Sequence, residues 1–332
     1  MRDARAVSSI QEPLVSVIVP AWNAEGTVLE TLRTAAAQTH RDLEILIVDD
    51  GSTDRTADIA EAFCSSEPRA RLIRQPNRGV AAARNRAIDE ARGDFIAPLD
   101  SDDLWHPEKI ERQLRTFAER PPSVGLVYCW FRIIDDQGRL RAPAWAPIFE
   151  GSILRQHLQF NFGTGSAPLI RRSALGELRY DSSLAQAGNQ GCEDWLLQLQ
   201  IAARHEIACT RAFLLGYRLA PSNMSSDSAR MMRSQIQMYE IVSRDLRGDQ
   251  RRLAERELAR WHAIHAIAEA RSRPLDQTLN EIARAFAGAP LLAAKVLLFF
   301  RRYRDLYHLD QARPRQAPGP HFLDCPPEAM DL

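Results

Sequence analysis

The sequence predicts an α/β fold, a mostly parallel sheet flanked by helices, followed by a helical extension. Three observations carry this. Short apolar, β-branched runs at Val15–Val19, Leu43–Val48 and Phe95–Leu99 alternate with stretches of helical spacing. Each run ends in a polar turn rich in acidic or aromatic residues. Beyond Ser228 the composition changes to long, charge-rich helical patterns.

Met1–Pro13 reads as a polar lead-in. Val15–Pro20 is a buried strand stopped by proline, and Gly26–Gln38 carries Val28, Leu29 and Leu32 at helical spacing. Leu43–Val48 is the second strand. It ends in Asp49-Asp50-Gly51-Ser52-Thr53-Asp54, where Ser52, Thr53 or Asp54 caps a helix over Arg55–Cys64. Arg71–Arg74 is a weak strand. Gly79–Arg92 is an alanine-rich helix that Gly93 is expected to end as a C-cap. Asp94–Leu99 is a buried strand, Pro107 opens a helix to Arg120, and Val124–Trp130 is a further strand. Asp135-Asp136-Gln137-Gly138 reads as a hairpin turn. Ser166–Leu175 is a strand entering a turn, Gly188–Cys192 a loop, and Glu193 opens a helix to Arg204. Ser228–Arg271, Pro274–Phe286 and Pro290–Tyr307 read as helices, and a disordered tail is expected from Pro314.

Composition narrows the function classes. Lys+Arg and Asp+Glu are both 43, so the basic excess of a nucleic-acid binder is absent. The five cysteines are scattered without a CxxC pair, which argues against a zinc site or a disulfide framework and fits a reducing, cytoplasmic setting. The N-terminus lacks a signal-peptide core, and no apolar run reaches the ~18 residues of a membrane span. Leu291–Phe300 is apolar apart from Lys295 and is followed by Arg301, Arg302 and Arg304. Two readings of 290–304 stay open: a helix lying in a membrane interface with its basic end on anionic headgroups, or a helix buried in the core or at a dimer contact.

Asp100-Ser101-Asp102-Asp103 ends one strand and carries three carboxylates in four residues. Such groups repel one another unless a cation is shared, and hard divalent ions such as Mg²⁺ or Mn²⁺ take oxygen ligands together with phosphates. A metal–diphosphate site and an acidic helix cap both stand at this point. Right-handed crossovers bring Pro20-Ala21-Trp22-Asn23, Asp49-Asp50 and Asp100–Asp103 to one sheet edge, where ligands of α/β sheets bind. A nucleoside diphosphate suits all three: Trp22 stacks on a base, Asp50 accepts from an imide N–H or a ribose hydroxyl, and Asp100 and Asp102 hold a bridging cation. Trp22 as a core aromatic and Glu193 and Asp194 as helix-dipole partners are the plain alternatives. A dinucleotide fold is excluded because Pro20-Ala21-Trp22-Asn23-Ala24-Glu25-Gly26 stands where G-x-G-x-x-G is needed, and no P-loop is present.

Val15–Asn23, the Asp49–Asp54 turn, Asn77-Arg78-Gly79-Val80-Ala81-Ala82-Ala83-Arg84-Asn85, the Asp-x-Asp at Asp100 and Asp102, and Glu193-Asp194-Trp195 occur in the order found in family 2 glycosyltransferases, which the chain resembles over roughly 15–225. The resemblance implies a GT-A-like fold and inverting transfer from a nucleotide-sugar. By position it implies that Pro20, Ala21, Trp22 and Glu25 surround the nucleoside, with Trp22 where tyrosine is common. Asp50 contacts the base, Arg84 lies beside the nucleotide, and Asp100, Ser101 and Asp102 form the diphosphate and metal site, with Asp102 ahead of Asp100 as direct ligand. Asp194 is the implied base, ahead of its neighbour Glu193. Many members have histidine where Ala220 stands, which leaves the third protein ligand unidentified. His106, His157, His205, Cys192, Trp105 and Trp195 read as packing residues.

The expected organisation is therefore a lead-in over 1–13, a transferase domain over 14–227, a helical extension over 228–313 and a tail over 314–332. The expected ligands are Mn²⁺ or Mg²⁺, a UDP-sugar by default with dTDP- and GDP-sugars open, and a glycan or lipid-linked acceptor in polysaccharide or glycolipid synthesis. The expected location is cytoplasmic, either free or peripheral on the inner membrane face. A catalytically inactive sugar-nucleotide scaffold and a nucleotidyltransferase are the alternatives, the latter lacking its glycine-rich, lysine-containing loop.

Overall fold

The structure, a computed structural model, describes residues 12–141, 146–186, 191–219, 228–269 and 319–328, with isolated positions between 280 and 291. In chain order the elements are β1 (Val15–Ala21), α1 (Val28–Ala36), β2 (Leu43–Asp49), α2 (Thr56–Ser66), β3 (Ala70–Arg74) and α3 (Val80–Glu90). Then come β4 (Phe95–Pro98), β5 (Leu104–Trp105), α4 (Lys109–Ala118), β6 (Val124–Ile134), α5 (Leu154–His157), β7 (Leu169–Arg171) and α6 (Arg172–Leu175). The last are α7 (Ser183–Gln186), α8 (Glu193–Ala202), β8 (Glu206–Arg218), α9 (Ser228–Asp245) and α10 (Gly248–Glu269).

One sheet of order β3-β2-β1-β4-β7-β6-β8-β5 runs through the molecule. The first four strands are parallel, β6 and β8 are parallel, and β7 and β5 run against their neighbours. Every residue of β1 and β2 is buried, as strands covered on both faces must be. Alternation divides their side chains between two cores. Val15, Val17, Val19, Ile45 and Ile47 meet Leu32 of α1 and Ile110 of α4. Ile18, Leu46 and Val48 fall in the other core with α3, α8 and the helices α9 and α10.

Several elements differ from expectation. Helix α3 stops at Glu90 with Ala91 as its C-cap, so Gly93 is not a cap. Its reason is steric: a Cβ there would lie 2.6 Å from the Ser16 amide nitrogen. The helix expected over Ser228–Arg271 is two, broken before Gly248, whose φ of +55° favours glycine. Strands β5 and β8 are additional to the elements expected. β5 has two residues, and β8 is buried on both faces, so neither shows an alternating pattern.

Part of the stretch expected as a disordered tail is folded. Residues 319–328 lie along the β5 edge, with Phe322 and Cys325 buried beside Leu104, Ile134 and Leu140. Phe322 is a large apolar group with a hydrophobic niche to fill, and proline content alone did not outweigh that. The Asp135–Gly138 turn forms as expected, with Gly138 at φ +71° and the Gly138 amide donating to the Asp135 carbonyl at 3.0 Å. Residues 1–11, 220–227 (with Ala220) and 292–304 lie outside the described residues, as does most of Pro274–Phe286. Among the described residues no helix is long and apolar enough to cross a membrane.

Candidate active site

The loop after β1 is locked to the loop after β2. Asn23 donates its amide to Ser52 Oγ at 3.0 Å, and its Oδ1 accepts from the Thr53 amide at 2.8 Å. The Ala24 amide meets Thr56 Oγ1 at 2.7 Å, and Glu25 Oε2 accepts from the Arg55 amide at 3.2 Å. Asn23 adopts φ +48°, a conformation that asparagine tolerates better than most residues. This turn leaves Trp22 56% exposed, so the core-aromatic reading falls. Pro20 and Ala21 are buried at the end of β1.

Asp50, 3% exposed, organises the next loop. Its Oδ1 accepts from Gln75 Nε2 at 2.7 Å and the Arg78 amide at 2.9 Å, while Oδ2 accepts from the Gly79 amide at 2.8 Å. It thereby satisfies an amide at the start of α3 and ties the ends of β2 and β3 to it.

The acidic turn separates its three carboxylates chemically. Asp100 pairs with the Arg84 guanidinium. Asp103, 1% exposed, accepts from Ser166 Oγ at 2.6 Å and the Arg218 amide at 2.9 Å; burial and the two neighbouring carboxylates hold its pKa well above the usual range. Asp102 accepts no hydrogen bond from another described residue's side chain, and burial together with Asp100 raises it to about 6. The backbone of the turn is braced from behind. Thr27 Oγ1 donates to the Ser101 carbonyl at 2.9 Å, Arg218 Nε to that of Asp102 at 2.6 Å, and Thr31 Oγ1 to that of Asp103 at 2.9 Å.

Arg84 joins this turn to the start of α8. Its guanidinium, 3% exposed, reaches Asp100 on one side and Glu193 Oε1 at 2.6 Å on the other, with the Tyr180 ring centroid 5.0 Å away. Arg84 stands in the buried layer between the two acidic motifs. Glu193 is thus neutralised by a partner. Among the described residues Asp194 accepts only from the adjacent Trp195 amide, at 2.7 Å, and burial and then Glu193 push it up to about 7 against the pull of Arg84. Cys192 precedes them at φ +67°, a left-handed conformation costly for a non-glycine residue. Among the described residues Asn23 and Cys192 alone among non-glycines have positive φ, and both adjoin site residues. Burial raises the Cys192 thiol well above its ordinary value, which fits packing.

Sequence reasoning missed the supports. Gly165 lies so close that a Cβ would fall 2.6 Å from Asp100 Oδ2 and 2.8 Å from Arg84 Nη2. Ser166 and Arg218 sit 66 and 116 residues from the groups they hold, a separation no local pattern reveals. His157 is stacked on Phe162, and the Trp105 and Trp195 indoles donate to backbone carbonyls, all in packing roles.

The donor set suits a hard cation on one side. The half-buried Asp102 carboxylate accepts from no other described side chain, and Asp100 offers the oxygen that Arg84 does not hold. Among the described residues no cluster of three or more histidine, cysteine or acidic side chains closes a full cage. An ion there takes its remaining ligands from phosphate and water, as Mg²⁺ commonly does.

The chain is 30% identical over 208 residues to an uncharacterized glycosyltransferase of Rickettsia conorii, covering 62% of this chain and 33% of that protein. It is 41% identical over 128 residues to an Escherichia coli chondroitin synthase, covering 39% and 18% respectively. It therefore spans a third or less of the length of these relatives. The structure of S. aureus TarS 1-349 in complex with UDP-GlcNAc superposes over 88% of both chains with a TM-score of 0.64 at 19% identity, a likeness of GT-A fold. Residues 16–179, which hold the β1 and β2 loops, Arg84 and the acidic turn, match the sequence profile named Glycosyl transferase family 2, and the chain belongs to that family.

Proposed function

We propose that this glycosyltransferase moves a sugar, with inversion, from a nucleotide-diphosphate donor to a hydroxyl of a glycan or lipid-linked acceptor, with UDP-sugar as the default donor. One observation carries the reading. A single buried guanidinium, Arg84, pairs with both Asp100 and Glu193, so the acidic turn and the start of α8 are held side by side. Asp103 is committed to Ser166 and the Arg218 amide, so among the described residues of these two motifs Asp102 and Asp194 are the carboxylates left without a side-chain partner.

Asp194 is the proposed base. A carboxyl raised to about 7 is poised to take a proton from the attacking hydroxyl near neutral pH. Glu193 orients this helix start through Arg84. Asp102 and Asp100 are the proposed holders of Mn²⁺ or Mg²⁺, which when bound would offset charge on the departing diphosphate. Trp22, exposed at the end of β1, offers a face to the base, with Pro20, Ala21 and Glu25 shaping the rim. Asp50 acts on the nucleoside through the 75–79 loop it holds and through the lone pair left on Oδ2. The division at 227/228 belongs to the same proposal, with 14–227 as the transferase domain.

The test is NMR of the anomeric centre formed from a UDP-sugar and an oligosaccharide acceptor, with wild type and Asp194→Asn. Inverted product is expected. The variant should lose about 10²–10⁴-fold in turnover while binding donor as before. Retained configuration or undiminished turnover contradicts the reading.

A further inference from the structure

We propose that the C-terminal segment 319–328 is an intrachain latch that braces Arg218, and that Arg218 is the positioning residue of Asp102. The proposal rests on the reading of Asp102 as a metal ligand. Arg218 ends β8 and is 1% exposed. Its Nε donates to the Asp102 carbonyl at 2.6 Å and its amide to Asp103 Oδ1 at 2.9 Å. Its Nη1 bridges the carbonyls of Asp135 and Asp136 at 2.8 and 2.6 Å, and its Nη2 meets Glu30 Oε2 at 2.8 Å. A planar fork held at this many points is rigid, and it fixes the peptide plane next to the Asp102 carboxylate. Lysine, a flexible point charge, cannot reproduce that geometry.

The groups that hold Arg218 are themselves held by the tail. Glu30 shares its other oxygen with His321 Nε2 at 3.4 Å. His321 covers Gly138, where any Cβ would collide with its ring. The Phe322 amide donates to the Gly138 carbonyl at 2.8 Å, and the Leu140 amide donates to the Pro320 carbonyl at 3.0 Å. The Phe322 ring is 1% exposed, and a Cβ on Gly216, two residues before Arg218, would lie 3.0 Å from it. Farther along, the Phe213 amide donates to the Pro327 carbonyl at 2.7 Å, and Glu328 pairs with Arg112. The tail thus closes over the 135–140 turn and the end of β8. Releasing it frees Glu30 and the turn carbonyls to exchange Arg218 for water.

Two measurements on the full chain test this. The first is hydrogen exchange of the 100–106 peptide without metal, in wild type, Phe322→Ala and Glu30→Gln. Faster exchange there, with α2 unchanged, is expected in both variants. The second is calorimetry of UDP binding with and without Mn²⁺ for the same variants, Arg218→Lys and the control Asp102→Asn. Arg218→Lys and Phe322→Ala should weaken the Mn²⁺-dependent affinity about 10- to 100-fold while leaving the metal-free affinity unchanged. If Asp102→Asn keeps full Mn²⁺-dependent affinity, the metal reading fails, and the exchange result still decides the latch. If Asp102→Asn loses it while Phe322→Ala and Glu30→Gln change neither exchange nor affinity, the latch is overturned.

Discussion

Asp194 and Glu193 are chemically alike and adjacent, and their surroundings give them different work. Glu193 has a guanidinium at 2.6 Å; Asp194 has burial and a like charge, which raise it from 3.8 to about 7. A base must be ionised, so kcat should rise with pH to a plateau with its midpoint about 7, measured under metal saturation. A profile already flat a unit below that midpoint contradicts the assignment. The same shift has a sign for stability. A carboxyl whose folded pKa exceeds its unfolded value holds its proton more tightly when folded, so its contribution falls as pH rises from 3.8 to about 7. Asp194→Asn should therefore melt higher than wild type at neutral pH, by about 2–4 °C for each kcal/mol relieved, and the difference should shrink toward pH 4. The acidic turn follows the same logic. Three carboxylates that look equivalent in sequence become an ion pair, a hydrogen-bonded buried acid, and a half-buried group that accepts from no other described side chain.

At the scale of elements, the site is a set of strand ends joined by side chains. Asn23 and Glu25 grip the loop after β2, Asp50 grips the loop before α3, and Ser166 holds the turn after β4. The Gly165 approach has a direct test. A methyl there meets Asp100 Oδ2 and Arg84 Nη2 well inside contact distance, and Arg84 is too buried to move aside. Gly165→Ala should cost about 1–3 kcal/mol of stability, read from urea midpoints, and should lower UDP affinity in parallel. An unchanged midpoint means that the loop yields without resistance. Gly93 teaches the same lesson. Its position after a helix suggested a cap, whereas the crowding of Ser16 in β1 is what requires glycine there.

Across the whole molecule, α9 and α10 are not a loosely attached appendage. Met238, Tyr239, Trp261 and Ile264 lie in the same core as Leu196 and Leu199 of α8, the Tyr239 ring sits 5.9 Å edge-on from Trp195, and the Tyr239 hydroxyl donates to the Leu158 carbonyl. Helices sharing a core with the helix that carries Asp194 should unfold with it. Calorimetry should show one transition for the sheet and these helices, and two separated transitions would show that they fold independently.

What the sequence by itself determined is the local chemistry: short β-branched strands, the helices between them, and the acidic and aromatic residues at strand ends. These are legible because periodicity and turn chemistry act over a few residues. The order of the five motifs was enough to identify the family. Only the tertiary structure decided which carboxylate is paired with which cation, why Gly93 and Gly165 are glycine, and that Phe322 returns to cover the β5 edge. Those outcomes depend on contacts between residues distant in the chain, and on the desolvation that only a closed core imposes.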